Sequence, residues 1–331
     1  MAKLLVVIGI TGNQGGSVAR VFLGIPGWRI RGVTRNISQP AAKGFQAQGV
    51  EIVQGDVNDV ETIKAAVAGA DVVFGNTVFP ANFINPTDED WQRLKPGQTL
   101  REWCYELEYS QGKNIADAVA TVDGLQLFVW SSLSAAKKWS DGKYRGVYHF
   151  DSKADVVDYI HNKLPELAER MSILQMGLFI DNWRWGQAAV PWSKQPDGTL
   201  LLNVPGDGDI PIPLVIPSDA GYYVRAIAEV GPGKNVLAFS KRIAWSDYVN
   251  LWSKITGVPA SFAKTTVAEH AQLAPGGYGE EMAEMYAYAQ DFGYDGSDPS
   301  VIYAQDLGVD LHEVTTIEDY IRQADWSPLL K

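Results

Sequence analysis

The sequence contains a single cysteine, Cys104, among its 331 residues. One thiol cannot form an intramolecular disulfide and provides no cysteine spacing for a metal, so we expect neither a disulfide framework nor a metal site. As a small apolar side chain, Cys104 is most simply part of a buried core. This use of cysteine is typical of a reducing compartment such as the cytoplasm.

Basic residues and long apolar runs are also scarce. Lys and Arg number 28 against 39 Asp and Glu, and the resulting net charge of −11 repels a phosphodiester backbone. No segment approaches the roughly 18 uninterrupted apolar residues of a membrane span. The first apolar run ends in glycines and lacks the cleavage site of a signal peptide. We therefore expect no direct nucleic-acid binding, no membrane insertion and a cytoplasmic location.

Short apolar runs do alternate with helical patterns between Lys3 and about Ile180. The runs are KLLVVIG, WRIRGVTR, VEIVQGD, ADVVFGNT, LQLFVWSS and MSILQMGL. Runs that are apolar on both faces and separated by amphipathic helices predict buried parallel strands. Right-handed crossovers then favour an α/β fold with a Rossmann-type doubly wound parallel sheet, and a ligand at the carboxyl ends of its strands.

Two changes of composition suggest the domain organisation. Residues 78–100 are rich in proline, asparagine and aromatic side chains, which indicates an insertion after the fourth strand, either a functional lid or an irregular surface loop. After Asn182 the chain becomes rich in proline and glycine. We predict a Rossmann-type domain over residues 1–182 and a smaller C-terminal α/β module over 183–331, which could also receive segments from the first.

Three glycines follow the first strand at the spacing G-x-x-G-x-x-G. They are Gly9, Gly12 and Gly15, and a helical pattern starts directly after them. Such a turn lets the backbone approach a pyrophosphate closely, and the amide groups of the helix N-terminus attract its negative charge. A structural glycine turn would not require all three positions. The pattern therefore predicts dinucleotide binding.

The end of the second strand indicates which dinucleotide is bound. An NAD site commonly carries an acidic residue here, whereas this sequence reads Thr34, Arg35 and Asn36. A guanidinium matches a 2′-phosphate in charge and geometry. We predict NADP(H), the alternative being an exposed arginine without such a role.

Polar residues also end the third and fourth strands. Asp56 is placed to accept a hydrogen bond from an adenine amino group, and Asn76 and Thr77 would lie beneath the ribose and nicotinamide. Asp and Asn equally suit the capping of a turn, so each has a purely structural alternative.

Taken together, these motifs resemble a known family. The relevant stretches are GITGNQGGSVAR, VTRN, VQGD, QGKNIADA, HFDSKADV, LFIDN and SDAG. The sequence resembles the NmrA-like family of atypical short-chain dehydrogenase/reductases over nearly its whole length. That resemblance implies NADP(H) binding and one of two functions. Some relatives are redox sensors that regulate transcription through protein partners, and others, such as isoflavone-reductase-like enzymes, transfer hydride.

The resemblance also implies a set of cofactor contacts. Together with the strand-end residues above, they are Gly9, Thr11, Gly12, Asn13, Gln14, Gly15, Thr34, Arg35, Asn36, Asp56, Val57, Asn76, Thr77, Lys153, Phe179, Ile180, Asp181 and Asn182. One position departs from the pattern of sensor-type relatives, because Ser110 stands where they carry a lysine. Lys113 remains nearby.

The catalytic set of short-chain reductases is present only in part. Ser132 ends the fifth strand and Lys153 lies in a predicted helix, but the position four residues before Lys153 is His149 rather than tyrosine. Histidine can act as an acid near neutral pH, and Tyr144 in the preceding loop could supply a phenol. Alternatively, His149 is only a residue at a helix start.

Aromatic residues predict a wall near the nicotinamide end of the sheet. Phe79, Phe83 and Trp91 come from the insertion, and Trp183 follows the sixth strand. Such a wall lines an apolar ligand pocket or fills the core between modules. We therefore expect an NADPH-dependent reductase of an apolar carbonyl, enone or imine. The alternative is a non-catalytic NADP(H) sensor with a protein partner. A sensor of this kind could also be located in the nucleus.

Overall fold

The computed structural model describes residues 2–80 and 83–330, so Ala81 and Asn82 of the predicted insertion lie outside it. Its strands are β1 (Lys3–Ile8), β2 (Trp28–Thr34), β3 (Glu51–Gln54), β4 (Val72–Gly75), β5 (Leu127–Ser132), β6 (Met171–Met176), β7 (Leu178–Phe179), β8 (Trp192–Lys194), β9 (Leu200–Pro205), β10 (Ile212–Val215), β11 (Asn235–Ala238), β12 (Lys241–Ile243), β13 (Ala260–Thr265) and β14 (Val301–Tyr303).

The helices alternate with these strands through the first half of the chain. They are α1 (Asn13–Leu23), α2 (Pro40–Ala47), α3 (Val60–Val67), α4 (Asp88–Gln92), α5 (Leu100–Val119), α6 (Ala136–Trp139), α7 (Tyr148–Lys163), α8 (Pro165–Ala168), α9 (Ala220–Val230), α10 (Trp245–Thr256), α11 (Val267–Ala271), α12 (Tyr278–Phe292), α13 (Ile317–Gln323) and α14 (Ser327–Leu330). A 3-10 helix covers Ile180–Trp185.

The large sheet has the strand order β14-β11-β6-β5-β4-β1-β2-β3. Every neighbouring pair in it is parallel. Because β1 lies between β2 and β4, the strand order reverses at β1, and a ligand crevice is expected at the carboxyl ends there. The predicted Rossmann-type doubly wound sheet is confirmed.

Helices cover both faces of this sheet, which explains why its central strands are mainly apolar. On one face, Val18 and Phe22 of α1 pack with Tyr223 of α9. On the other face, Ile115 of α5 and Val156 of α7 belong to a second buried cluster. The sheet is therefore the middle layer of three.

Two strands of the large sheet come from the range 183–331. β11 pairs with β6, and β14 pairs with β11. Both strands are short, and a run of three or four residues carries too little periodicity to be identified from sequence. The second half of the chain therefore contributes to the sheet as well as to a module of its own.

The smaller C-terminal module is confirmed as an α/β arrangement. It contains two sheets of three strands, with the orders β12-β10-β7 and β13-β9-β8. Its core is aromatic, since Trp192, Trp252 and Trp326 lie within one buried cluster. In the described part of the chain, no helix combines the length and the apolar character that crossing a bilayer requires.

Candidate functional site

The glycine turn after β1 has the geometry of a phosphate-binding loop. Gly9 adopts a positive φ of 74°, and the N–H of Gly12 donates to the Gly9 carbonyl oxygen at 2.9 Å. A Cβ on Gly15 would lie only 2.4 Å from that same oxygen. The start of α1 therefore packs directly against the turn, and only glycine permits this approach.

The N-terminus of α1 is open to an anion. Gly12 is its N-cap residue and supplies no side-chain hydrogen bond to the first turn. Thr11 is partly buried, whereas Asn13 is exposed and Gln14 is partly buried. Free amide groups, the helix dipole and a cradle that a Cβ would fill fit the pyrophosphate of a dinucleotide.

The end of β2 leaves Arg35 available. The Thr34 side chain is buried, and its Oγ1 accepts a hydrogen bond from Gln39 Nε2 at 2.9 Å. Arg35 and Asn36 are exposed. Among the described residues, Arg35 has no ion-pair partner. Its guanidinium is therefore not committed to another protein group.

Three residues that follow β3 and β4 also make contacts within the protein. Asp56 Oδ1 accepts from the backbone N–H of Asn58 at 3.0 Å and from its side chain at 2.8 Å. The Val57 carbonyl accepts from Asn114 on α5 at 3.0 Å. Asn76 lies against the glycine turn, since a Cβ on Gly9 would be 2.9 Å from Asn76 Oδ1. The turn-capping role of Asp56 is thus present, and it uses Oδ1.

Lys153 on α7 reaches the end of β4. Its Nζ donates to the carbonyl oxygen and to Oγ1 of Thr77, each at 3.3 Å. It also forms an ion pair with Glu108 of α5, a residue that is fully buried and accepts a second hydrogen bond from Ser152. A buried carboxylate thus holds the ammonium group at the mouth of the crevice.

His149 lies one helical turn before Lys153 and binds another buried carboxylate. Its Nδ1 is 2.7 Å from Glu281 Oε1, and its backbone N–H donates to the same oxygen at 2.7 Å. Glu281 belongs to α12 and is fully buried. Burial raises the pKa of Glu281, while His149 and Arg101 oppose that rise. His149 and Lys153, at i and i+4, share one face of α7.

The other two predicted catalytic residues, Tyr144 and Ser132, are bound to other groups of the protein. Tyr144 donates to Asp291 at 2.6 Å, and Asp291 lies ten residues beyond Glu281 on α12, about 15 Å along the helix. Ser132 is buried and donates to the Leu133 carbonyl. The structure therefore does not bring Tyr144 to His149 and Lys153.

Ser131, which precedes Ser132 in β5, makes a contact that the sequence did not predict. Ser131 Oγ donates to Gln14 Oε1 at 2.8 Å and so joins the end of β5 to the first turn of α1. Lys113, near the position where Ser110 departs from the sensor pattern, pairs with Asp117 at 2.7 Å. Ser110 itself is exposed on α5.

The insertion brings two phenylalanines next to His149. Phe79 packs edge-on against Phe83 at 5.1 Å and against the His149 ring at 6.1 Å. Phe83 is buried and contacts Tyr278 at the start of α12. These rings form an apolar wall between the insertion and the C-terminal module.

The two predicted tryptophans of the wall lie elsewhere. Trp91 is 45% exposed, on α4. Trp183 is buried and stacks on Trp326 at 4.8 Å within the core of the C-terminal module. Trp183 thus contributes to a buried core, which was the alternative to a ligand-pocket wall in the sequence analysis.

The segment after β6 continues into that module. Phe179 ends β7, which pairs in parallel with β10, and Ile180 is buried behind it. Asp181 and Asn182 are partly buried in the following 3-10 helix. Burial raises the pKa of Asp181. This segment thus joins the sheet edge to the smaller module.

A third buried acidic residue, Asp151 of α7, makes the stability of the protein depend on pH. Asp151 is buried, and desolvation raises its pKa from 3.8 to about 7 although Lys137 N donates to it at 3.1 Å. Between those values the folded protein keeps a proton that the unfolded chain has lost. Stability therefore falls as pH rises through this range, and the contribution levels off above pH 7.

We expect an Asp151→Asn variant to remove this dependence. The variant should gain stability relative to the wild type between pH 4 and pH 8, by about 4 kcal/mol, because each unit of the pKa difference is worth about 1.36 kcal/mol. Urea unfolding at a series of pH values measures the effect. Asp158→Asn, at an exposed position of the same helix, is the control and should leave the pH dependence unchanged. Equal slopes for wild type and Asp151→Asn would contradict the assignment.

Sequence reasoning missed both buried carboxylates of the site. Glu108 lies on the buried side of α5 with Cys104, Gly112 and Ile115, at helical spacing. Glu281 likewise shares a buried side of α12 with Tyr278 and Met285. A lone acid within an apolar helical stripe was the available signal, because such a residue requires a buried partner.

Comparison with known proteins gives the family. The NmrA-like family model matches residues 1–321. An NmrA-like family domain-containing oxidoreductase of Penicillium ochrochloron is 27% identical, over 99% of this chain and 95% of its own. Among solved structures, the negative transcriptional regulator NmrA matches with a TM-score of 0.73 at 20% identity, over 98% of this chain and 96% of that chain.

A second solved structure, isoflavone reductase, matches with a TM-score of 0.69 at 19% identity, over 98% of this chain and 99% of that chain. NmrA has been solved in complexes with NADP and with NAD. At these identities the structural matches establish the shared fold. The family match, which covers nearly all of the sequence, confirms the resemblance seen in its motifs: the chain belongs to the NmrA-like family.

Proposed function

We propose that the chain is an NADPH-dependent reductase of an apolar carbonyl, enone or imine substrate. The observation that carries this proposal is the pair formed by His149 and Lys153, which share one face of α7 and are each bound to a buried carboxylate. Two nitrogen donors held in this way beside the end of β4 suit a reaction that moves a proton. The oxidoreductase names of the curated relatives support the same reading.

The proposed cofactor binding follows the carboxyl ends of the strands. Backbone amides from Gly12 to Gly15 would hold the pyrophosphate, with Thr11, Asn13 and Gln14 around it. Arg35, which has no ion-pair partner among the described residues, would bind the 2′-phosphate. Further contacts would come from the strand-end and α7 residues and the segment after β6, namely Thr34, Asn36, Asp56, Val57, Asn76, Thr77, Lys153, Phe179, Ile180, Asp181 and Asn182.

The chemistry assigned to the protein is binding, orientation and proton delivery. When bound, the reduced dinucleotide supplies a hydride to the electrophilic carbon of the substrate. Lys153 Nζ, held by Thr77 and Glu108, binds the ribose or orients the group being reduced. Phe79, which packs on the buried ring of Phe83, provides an apolar surface for the substrate and excludes water from it.

The direct test is turnover. Purified protein is mixed with NADPH and a panel of apolar ketones, quinones, enones and cyclic imines, and NADPH oxidation is followed by absorbance. We expect at least one class of substrate to be reduced, with the product confirmed by mass spectrometry. The absence of turnover across the panel would contradict the proposal.

An Arg35→Ala variant tests the choice of cofactor. Loss of one charge-assisted contact to the 2′-phosphate should weaken NADPH binding about 10- to 100-fold, at roughly 1.5–3 kcal/mol. Binding of NADH, which has no 2′-phosphate, should be unchanged. Calorimetric titration with both cofactors measures the two affinities.

The matched control for Arg35 is Arg29→Ala. Arg29 is an exposed arginine near the opposite end of the same strand, β2, so its removal changes the net charge equally. It should leave both affinities unchanged. Equal weakening of NADPH and NADH binding in Arg35→Ala would show that Arg35 does not read the 2′-phosphate.

The alternative function is a non-catalytic NADP(H) sensor that acts through a protein partner. It is favoured by one observation, the presence of His149 where short-chain reductases carry their catalytic tyrosine. A sensor must bind the oxidised and reduced cofactors with different affinities, because a ligand shifts an equilibrium only through differential binding. Equal dissociation constants for NADP⁺ and NADPH, together with turnover, would favour the reductase.

A further inference from the structure

The contact between His149 and Glu281 joins the two parts of the molecule. His149 lies in the first turn of α7, which packs on the large sheet, whereas Glu281 belongs to α12 of the C-terminal module. Both the ring Nδ1 and the backbone N–H of His149 lie 2.7 Å from one oxygen, Glu281 Oε1. Two bonds from one residue fix the position of the ring relative to the carboxylate.

Burial of the Glu281 carboxylate carries a large desolvation cost. It is fully inaccessible, and its second oxygen, Oε2, has no hydrogen-bond partner in the part of the chain that the structure describes. A buried carboxylate needs a compensating partner, and besides His149 the positive charge that lowers the pKa of Glu281 is that of Arg101 on α5. Arg101, however, already pairs with Glu280 at 3.1 Å and with Glu284 at 3.5 Å. The hydrogen bonds from His149 are therefore the contacts that best compensate the burial of Glu281.

The same contact orients the other ring nitrogen. Nδ1 and Nε2 lie on opposite sides of an imidazole, so binding of Nδ1 by Glu281 turns Nε2 away from α12. Among the described residues, Nε2 has no hydrogen-bond partner. The ring contacts Phe79, and its residue lies one helical turn from Lys153, whose Nζ bonds to Thr77. Nε2 is thus the free donor position beside the proposed substrate wall.

We propose that Glu281 is a positioning residue that makes His149 the proton donor of the reduction. This inference rests on the proposed reductase function. As hydride from the reduced nicotinamide adds to the substrate's electrophilic carbon, the π electron pair moves to the carbonyl oxygen or imine nitrogen. That atom takes the proton from His149 Nε2, which leaves a neutral ring hydrogen-bonded to Glu281, and solvent returns the proton afterwards.

Other ionisable groups around the pair keep one charge state near neutral pH. The groups that face it are Arg101 and Cys104 on α5, Tyr148 on α7 and Tyr278 on α12. Burial raises the pKa of Cys104 and of Tyr278 to about 12 in each case, and it also raises the pKa of Tyr148. Cys104, Tyr148 and Tyr278 therefore stay uncharged near neutral pH and add no charge beside the pair.

The test compares Glu281→Gln with Glu280→Gln in the full-length protein. Glu280 is the neighbouring residue on α12, half exposed and paired with Arg101, so its variant is the matched control. Loss of the Glu281 charge should lower kcat about 100-fold, the typical effect of losing a positioned acid. KM and NADPH affinity should change less than threefold, and the decline of kcat with rising pH should begin at a lower pH. Glu280→Gln should match the wild type.

A double variant distinguishes a positioning role of Glu281 from a purely structural role. His149→Gln should lose as much kcat as Glu281→Gln, and combining the two should cause no further loss, because both changes disable one unit. If Glu281→Gln does not fold, His149→Gln decides alone, since its ring is partly exposed. Additive losses, an unshifted pH profile or full activity of either single variant would overturn the role of Glu281. Absence of turnover by the wild type would instead overturn the reductase function itself.

Discussion

A Gly15→Ala variant is expected to lose dinucleotide binding by at least 100-fold and to be destabilised by several kcal/mol. The added Cβ would lie 2.4 Å from the Gly9 carbonyl oxygen and 2.8 Å from its carbon. Both contacts are with backbone, which cannot rotate away as a side chain does, so α1 and the turn must separate. Calorimetric titration with NADPH and urea unfolding measure the two effects.

The control for this prediction is Gly44→Ala. Gly44 lies within α2, and a Cβ there would meet no atom within 4 Å. Alanine should stabilise that helix by about 0.5–1 kcal/mol and leave NADPH binding unchanged. If Gly15→Ala bound NADPH as tightly as Gly44→Ala does, the turn would not be a phosphate cradle, whatever the effect on stability.

A Lys153→Met variant is expected to lose both stability and activity. Removal of the ammonium leaves Glu108 as an unpaired buried charge, which costs about 3–5 kcal/mol. Loss of a group that orients the substrate should lower kcat about 10²- to 10⁴-fold. Urea unfolding and steady-state NADPH oxidation measure these quantities. Lys163→Met, exposed near the end of the same helix, should change neither.

A second substitution distinguishes the two roles of Lys153. In the double variant Lys153→Met/Glu108→Gln the buried charge is gone, so most of the lost stability should return. Activity should remain low, because the ammonium group beside Thr77 is still missing. Recovery of wild-type kcat in the double variant would mean that Lys153 serves only to neutralise Glu108. A change confined to NADPH affinity would assign it to the ribose.

The parts of the fold that sequence predicts well are those with local causes. The strands β1, β4 and β5 are almost entirely buried apolar runs, and the glycine spacing specifies its own turn. Lys153 and His149 are recognisable because four residues always form one helical turn. These features can be identified without knowing which helices and strands pack together in the fold.

The rest of the candidate site depends on which helices meet, and no local pattern states that. Glu108 becomes a partner of Lys153 only because α5 packs along α7. Likewise, Glu281 meets His149 only because α12 returns to the first turn of α7, 132 residues later. Because Tyr144 shortly precedes α7 in sequence, it is expected near the crevice. In the structure its hydroxyl instead binds Asp291 at the far end of α12.

The pairing of β6 with β11 also determines when the molecule can become complete during synthesis. β6 ends at Met176, but its second neighbour begins at Asn235, and the outer strand β14 begins only at Val301. Until those segments leave the ribosome, β6 presents a row of unpaired backbone groups, a surface that favours association with other chains. A fragment that stops at residue 182 would lack β11 and would keep this edge of β6 unpaired.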